Sequence, residues 1–350
     1  MDQEASEWKA LLTRANQLVR SATHPAAQLP VEGHLPGFDG ATGWLSSPPL
    51  TAAELRGRVV LVDFWTYTCI NWLRTLPYLR AWADKYSEHG LVVIGVHTPE
   101  FDFEHDLDNV RQQVKDLRVD FPVAVDNDYA VWTAFANHYW PALYFVDAQG
   151  QIRHHRFGEG DYQMSEMVLQ QLLIEAGSGG TDQELTSVEA RGVEAAADWD
   201  SLRSPENYLG SERTDNFVSP NGSILGASYA YAAPTRLRRN HWALSGDWTV
   251  KPEAIMLNQA GGRIAYRFHA RDLNLVMAPP APGSPVRFRV GLDGEPPEGA
   301  HGIDVDDHGN GTLTNPRLYQ LVRQPGLVSE RTFEITFLDP GVQAYAFTFG

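Results

Sequence analysis

Val59-Val60-Leu61-Val62-Asp63-Phe64-Trp65-Thr66-Tyr67-Thr68-Cys69-Ile70-Asn71-Trp72 is the stretch that decides the fold. Val59–Trp65 is a nearly unbroken apolar run, as expected of a buried central strand. Thr66, Tyr67 and Thr68 make a short polar turn. Cys69 then opens a helix, because Leu73, Leu76, Leu79, Trp82 and Tyr86 follow at helical spacing and Gly90 stops it. Cys69 is the only cysteine in 350 residues. At a helix start, backbone N–H groups and the helix dipole favour an anion, so the thiol pKa is expected to fall below the free value of ~8.5. The alternative is a buried structural cysteine, which behaves as a small hydrophobe.

Outward from this stretch the pattern alternates. Leu91–His97 reads as a second apolar strand and 103–117 as a helix. Pro122–Val125 is short and extended, and 126–137 starts on a capping Asp-Asn-Asp and continues as a helix. Ala142–Val146 and Ile152–Phe157 form a hairpin, and 162–176 closes the unit as a helix. This order is that of an α/β thioredoxin-like domain, placed at 25–176. Before it, Trp8, Leu11, Leu12, Ala15, Leu18 and Val19 give 4–20 the spacing of an amphipathic helix, within an N-terminal extension over 1–24. Residues 177–197 are poor in apolar side chains and read as a linker. From 198 to 350, short strands alternate with Gly, Pro, Asp and Asn, which suggests an all-β jelly-roll sandwich.

Composition narrows the function classes. Lys and Arg number 28 against 44 Asp and Glu, a formal charge of −16, which argues against nucleic acid or anionic membrane partners. One cysteine excludes an intrachain disulfide. No apolar run approaches the ~20 residues needed to span a bilayer, and no signal pattern opens the chain. A soluble, cytoplasmic protein is expected, although a chain trimmed of a leader would look the same.

Several side chains join Cys69 as candidates. Pro141 precedes a strand, at the place where thioredoxin-like folds carry a cis-proline facing the cysteine; an ordinary trans proline is the plain alternative. Thr66 and Thr68 flank the cysteine; they read either as groups that help activate it or as turn hydroxyls capping the helix. Trp65, Trp72 and Trp140 are expected to wall the sulfur. His97, Glu100, Glu104 and His105 form a polar cluster whose spacing matches no standard zinc pattern, so no metal is expected. Asp304-Val305-Asp306-Asp307-His308-Gly309-Asn310-Gly311 lacks the distal glutamate of an EF-hand and reads as a polar hairpin turn. Tyr229, Tyr231, Trp242 and Trp248 could stack on sugars if exposed, but core packing is the expectation.

Taken as a set, Trp65-Thr66-Tyr67-Thr68-Cys69-Ile70-Asn71, Gly95-Val96-His97-Thr98-Pro99-Glu100-Phe101, Asp126-Asn127-Asp128-Tyr129, Tyr139-Trp140-Pro141-Ala142-Leu143-Tyr144 and Phe157-Gly158-Glu159-Gly160 resemble the soluble C-terminal part of DipZ-type cytochrome c biogenesis proteins. That part joins a redoxin domain of the thioredoxin and AhpC/TSA superfamily to a β-sandwich resembling carbohydrate-binding modules. The resemblance implies the fold, the two-domain layout and a thiol-redox ancestry. Two departures stand out. The family's Cys-x-x-Cys is here Cys69-Ile70-Asn71-Trp72, and the membrane-spanning electron-delivery domain has no counterpart, so the electron source is unspecified.

The resulting expectation is a single-cysteine thiol oxidoreductase. Cys69 attacks a disulfide or a peroxide with help from Thr66 and Thr68, in a pocket shaped by Trp65, Trp72, Trp140, Pro141, His97 and Glu100. An external thiol or redox protein resolves the product, and no cofactor is needed. Two alternatives remain: a non-catalytic scaffold holding a small-molecule ligand or protein partner, and a different reaction with Cys69 as nucleophile and the His97/Glu100 cluster as base.

Overall fold

A computed structural model describes residues 29–178 and 184–350. The amphipathic stretch expected at 4–20, and 179–183 of the expected linker, lie outside the described residues.

The first half is a mixed sheet with helices. Its strands are β1 (Gly33–His34), β2 (Gly43–Leu45), β3 (Val59–Trp65), β4 (Leu91–His97), β5 (Val123–Val125), β6 (Ala142–Val146) and β7 (Gln151–Phe157). Its helices are α1 (Ile70–Tyr86), α2 (Leu107–Asp116), α3 (Ala130–Ala134) and α4 (Tyr162–Glu175). The strand order is β1-β7-β6-β3-β4-β5-β2, with β3 parallel to β4 and antiparallel to β6. All seven residues of β3 are buried, so the continuous apolar run does mark the centre of the sheet. One face of α1 buries Leu73, Leu76, Leu79, Trp82 and Tyr86 against it.

Two elements differ from expectation. The helix expected over 103–117 is a 3-10 turn, Asp102–His105, followed by α2, because Asp106 accepts from the Asp108 N–H and starts a new helix there. The helix expected over 126–137 shrinks to α3. Asp126 ties down the N–H groups of Val131 and Trp132 at 2.9 and 2.8 Å, and Tyr129 takes a left-handed φ of 57° just before the helix.

The second half is all β. Its strands are β8 (Asn207–Tyr208), β9 (Ser228–Tyr231), β10 (Trp242–Val250), β11 (Ile255–Leu257), β12 (Arg263–Phe268), β13 (Asp272–Ala278), β14 (Val286–Leu292), β15 (Asn310–Leu313), β16 (Arg317–Arg323), β17 (Arg331–Phe337) and β18 (Gln343–Phe349). They form one curled, antiparallel sheet along β15-β14-β17-β12-β10-β11-β18-β13-β16, with β8 and β9 at its flanks. The strand β10 turns the corner. Trp242–Ser245 pairs with β12, and from Gly246 onward the partners are β9 and β11. Gly246 has φ 97°, and a Cβ there would meet Gly262 Cα at 2.8 Å, so the corner needs glycine. Trp242, Trp248 and Tyr231 are buried inside the curl, and Tyr229 packs against it. At 304–311, Asp306 accepts from the backbone N–H of His308 and Asn310, which makes the tight polar turn.

The two halves share an apolar core. Val276, Ala278, Leu318, Tyr345 and Ala346 pack into the same buried cluster as α1 and Phe101.

Candidate functional site

Cys69 is the N-cap of α1, with extended φ/ψ of −74° and 110°. It is partly exposed, and its Sγ lies 3.7 Å from the Trp140 carbonyl. The Trp140–Pro141 peptide is cis, and it is the Trp140 carbonyl of this peptide that the Cys69 sulfur approaches. The sulfur also receives the backbone N–H groups of Trp72 and Asn71, which favour a thiolate.

The expected drop in thiol pKa is nevertheless reversed. Burial pushes the Cys69 thiol up, the Trp72 N–H opposes this, and the charges of Glu100 and Glu206 push it up further. The hydrogen bond to the Trp140 carbonyl adds to this, since it requires the proton to stay on sulfur. Desolvation therefore outweighs the helix dipole at this site.

The expected aromatic wall is also corrected. Trp65 and Trp72 are fully buried and stack on each other at 4.2 Å with 19° between planes. They belong to the core and do not line an open pocket. Gly95 makes this possible, because a Cβ there would sit 2.7 Å from Trp65 Nε1. Trp72 Nε1 donates to Asp63 Oδ2 at 2.8 Å. Burial pushes Asp63 up to about 7, with the Trp72 bond pulling the other way.

His97 is no base. Its ring stacks on Tyr67 and meets Trp65 edge-on, both nitrogens lack a partner among the described residues, and burial pushes its pKa down to about 3. The imidazole is neutral and enclosed, which removes the His97/Glu100 base reading. Thr68 donates to Glu104 Oε1 at 2.7 Å, and Glu104 Oε2 accepts from the N–H groups of Glu100 and Phe101 at 2.6 and 3.0 Å. Burial pushes Glu104 up to about 7 against the Thr66 and Thr68 hydroxyls, which pull it down. Thr66 is buried and close enough to act on that carboxyl, yet its hydroxyl makes no hydrogen bond of ordinary geometry. Thr68 thus braces the loop through Glu104; among the described residues no hydrogen bond links either threonine hydroxyl to the sulfur. Among the described residues no cluster of His, Cys, Asp and Glu is arranged to hold a metal.

Glu100 points to the all-β half. It accepts from the Tyr208 hydroxyl at 2.7 Å and pairs with Arg213 at 2.9 Å. Sequence reasoning missed Asp63, Glu104 as a brace, and Glu206, Tyr208 and Arg213. The first had a signal: it is the one charged residue in a seven-residue apolar strand. The last three had none, since they reach the site only across more than a hundred residues of chain.

A model described as the AhpC/TSA family matches residues 34–155, and one described as a thioredoxin-like C-terminal domain matches 204–350. Protein DipZ of Mycobacterium tuberculosis (strain CDC 1551 / Oshkosh) is 34% identical over 343 residues, 97% of this chain and 46% of that protein. The chain therefore spans about half the length of DipZ. Thiol-disulfide oxidoreductase YkuV of Bacillus subtilis (strain 168) is 30% identical over 142 residues, 40% of this chain and 95% of YkuV. A solution structure of a thioredoxin-like protein in the oxidized form aligns with 29% identity and a TM-score of 0.39, covering 41% of this chain and 97% of that one. No helix among the described residues is long and apolar enough to cross a membrane.

Proposed function

The chain belongs to the thioredoxin-like, AhpC/TSA-type family of thiol-disulfide oxidoreductases, and on that premise we propose that Cys69 performs thiol–disulfide exchange alone. The observation that carries this reading is a partly exposed thiol at the N-cap of α1, against the cis Trp140–Pro141 peptide. In the exchange, the Cys69 thiolate forms a new S–S bond with one sulfur of the substrate. The substrate S–S bond breaks, and the leaving thiolate takes a proton. An external thiol then attacks the mixed disulfide and restores Cys69, because the chain has no second cysteine. The resolving partner is a small thiol or a redox protein, and no cofactor is required. A cytoplasmic setting, with its reduced thiol pool, suits that step. Attack on a peroxide would give a sulfenic acid resolved in the same way. The disulfide route is favoured, because the Thr66 hydroxyl, three residues before the thiol, is buried beside Glu104 and is not free to orient a peroxide.

We assign 25–176 to the redoxin domain, 177–197 to the linker and 198–350 to a jelly-roll-type domain with a structural docking role. Its candidate sugar-stacking residues Tyr231, Trp242 and Trp248 are buried, which favours packing over glycan binding.

One observation favours a second reading, a binding protein on the same scaffold: the thiol is pushed up and Trp72 fills the third helical position. Alkylation of the native protein across pH, followed by intact mass after exposure to a small disulfide, separates the two. Exchange predicts a single disulfide adduct at Cys69 and an alkylation rate still rising above pH ~8.5, the free-thiol pKa. No adduct when folded, but labelling once unfolded, would assign Cys69 a structural role.

A further inference from the structure

The helix α4 buries one side and leaves another bare. Val168, Leu169, Leu172 and Leu173 face the core. On the other side Met164, Met167 and Ile174 are 56, 53 and 51% exposed, with half-buried Gln171 between them. Positions 164, 167, 171 and 174 step by three, four and three, so they form one stripe along the helix. Towards the start of α4 the stripe opens into a groove of about 590 Å³, where Met164 and Met167 meet Tyr78 and residues 186–188. At its other end lies the point where the described chain begins. One guanidinium, that of Arg153, holds both: it donates to the Leu29 carbonyl at 2.6 Å and to Glu175, the last residue of α4, at 3.1 Å. Leu29 also packs against the core cluster that contains Val168 and Leu172. The chain before Leu29 therefore joins the molecule beside Ile174. Its sequence carries a matching set, because Trp8, Leu11, Ala15 and Leu18 also step by three, four and three.

We propose that the stretch 4–20 docks lengthwise on the bare stripe of α4 and parallel to it. Trp8 then lies over Met164, Leu11 over Met167, Ala15 over Gln171 and Leu18 over Ile174. A shared spacing of three and four is what lets two helical faces interdigitate along their length. In this register the small Ala15 falls opposite the one polar residue of the stripe, and the large Trp8 falls at the groove. The reverse direction would set Leu11 on Gln171 and take Trp8 away from the groove. The tether identifies the occupant. Ten residues, 19–28, separate Leu18 from Leu29. Linked this closely, the stretch meets its own α4 at an effective concentration of about millimolar, far above that of a second copy in dilute solution. The docked stretch shields Met164 and Met167 from oxidants, which attack exposed thioethers. None of this involves Cys69, so the contact stands apart from the exchange reading.

Two measurements on the full chain test the contact. In the first, Cys69→Ser is the background, and Leu18→Cys is combined with either Ile174→Cys or Met164→Cys. Mild oxidant should close the 18/174 pair within one chain, read by gel mobility with and without reductant. It should leave the 18/164 pair open, because positions 164 and 174 lie about 15 Å apart along the helix. In the second, peroxide oxidation of Met164 and Met167 is timed by peptide mass, with the fully buried Met277 as internal reference. The double variant Trp8→Glu, Leu11→Glu should speed oxidation of both methionines at least threefold relative to Met277. Taking the ratio to Met277 removes any general loosening of the fold. No closure of either pair, equal closure of both, or closure of 18/164 alone overturns the proposal. Bonds formed only between chains overturn it too, by making a second copy the occupant. Methionine rates that Trp8→Glu and Leu11→Glu leave unmoved would likewise show that the stripe is covered by something else or by nothing.

Discussion

Asp63 lies fully buried in β3 and makes one hydrogen bond, from Trp72. Its pKa rises from 3.8 to about 7, chiefly through burial. Between those values the native state keeps a proton that the unfolded state has lost. Stability therefore falls as pH climbs through this window and is flat above it. Asp63→Asn keeps an oxygen to accept from Trp72 and never ionises. It should stabilise the protein at pH 8 by on the order of 2–4 kcal/mol and change little at pH 4. Urea unfolding at the two pH values checks this, and equal effects at both would show that ionisation is not the cause. Residue by residue, the sequence was readable where one letter broke a pattern, as Cys69 does. It misled where two physical effects oppose. Helix dipole and desolvation both act on the thiol, and their balance depends on neighbours such as Glu206 that chain order does not reveal.

At the scale of the element, α1 decides which chemistry the loop can perform. Trp72 stands where a second thiol would make a dithiol site, but its ring is core, stacked on Trp65 and tied to Asp63. Trp72→Cys should therefore do two things. It removes a fully buried indole, costing about 3–5 kcal/mol as other Trp truncations do. It also places a thiol in the first helical turn, where mild oxidant should close a reversible bond to Cys69. Thiol titration before and after oxidation, with a thermal melt, measures both. A variant as stable as the parent would mean that the Trp72 ring contributes little to the core. Elements with strong periodicity, such as β3 and α1, were legible. The short β9 and β11 were not, because three or four residues carry too little pattern. The length of α3 was set by the Asp126 carboxylate, a tertiary detail.

Across the whole molecule, the two halves are joined by more than a linker. Arg74, buried in α1, pairs with Glu159 at 2.9 Å and donates to the Phe349 carbonyl at 3.1 Å. Tyr345 packs on Phe101 and Phe103 with ring centroids 5.0 and 4.8 Å away. Those two residues sit in the segment that Glu104 ties to Thr68, one residue from the thiol. A shared apolar core that excludes water from both sides leaves neither half a complete surface of its own, so the described halves should unfold as one cooperative unit. Tyr345→Ala removes a buried ring from that seam. It should cost about 3–5 kcal/mol, by analogy with other buried aromatic truncations, and lower the single melting transition as a whole. The same change loosens the segment bracing the Cys69 loop, so alkylation of Cys69 should quicken in conditions where the protein remains folded. Calorimetry gives the first readout, through agreement of calorimetric and van't Hoff enthalpies; timed alkylation gives the second. Two separate melting transitions, with only the later half of the chain affected by Tyr345→Ala and the thiol rate unchanged, would mean that the all-β half is a passenger and that the redoxin half sets the properties of Cys69 unaided.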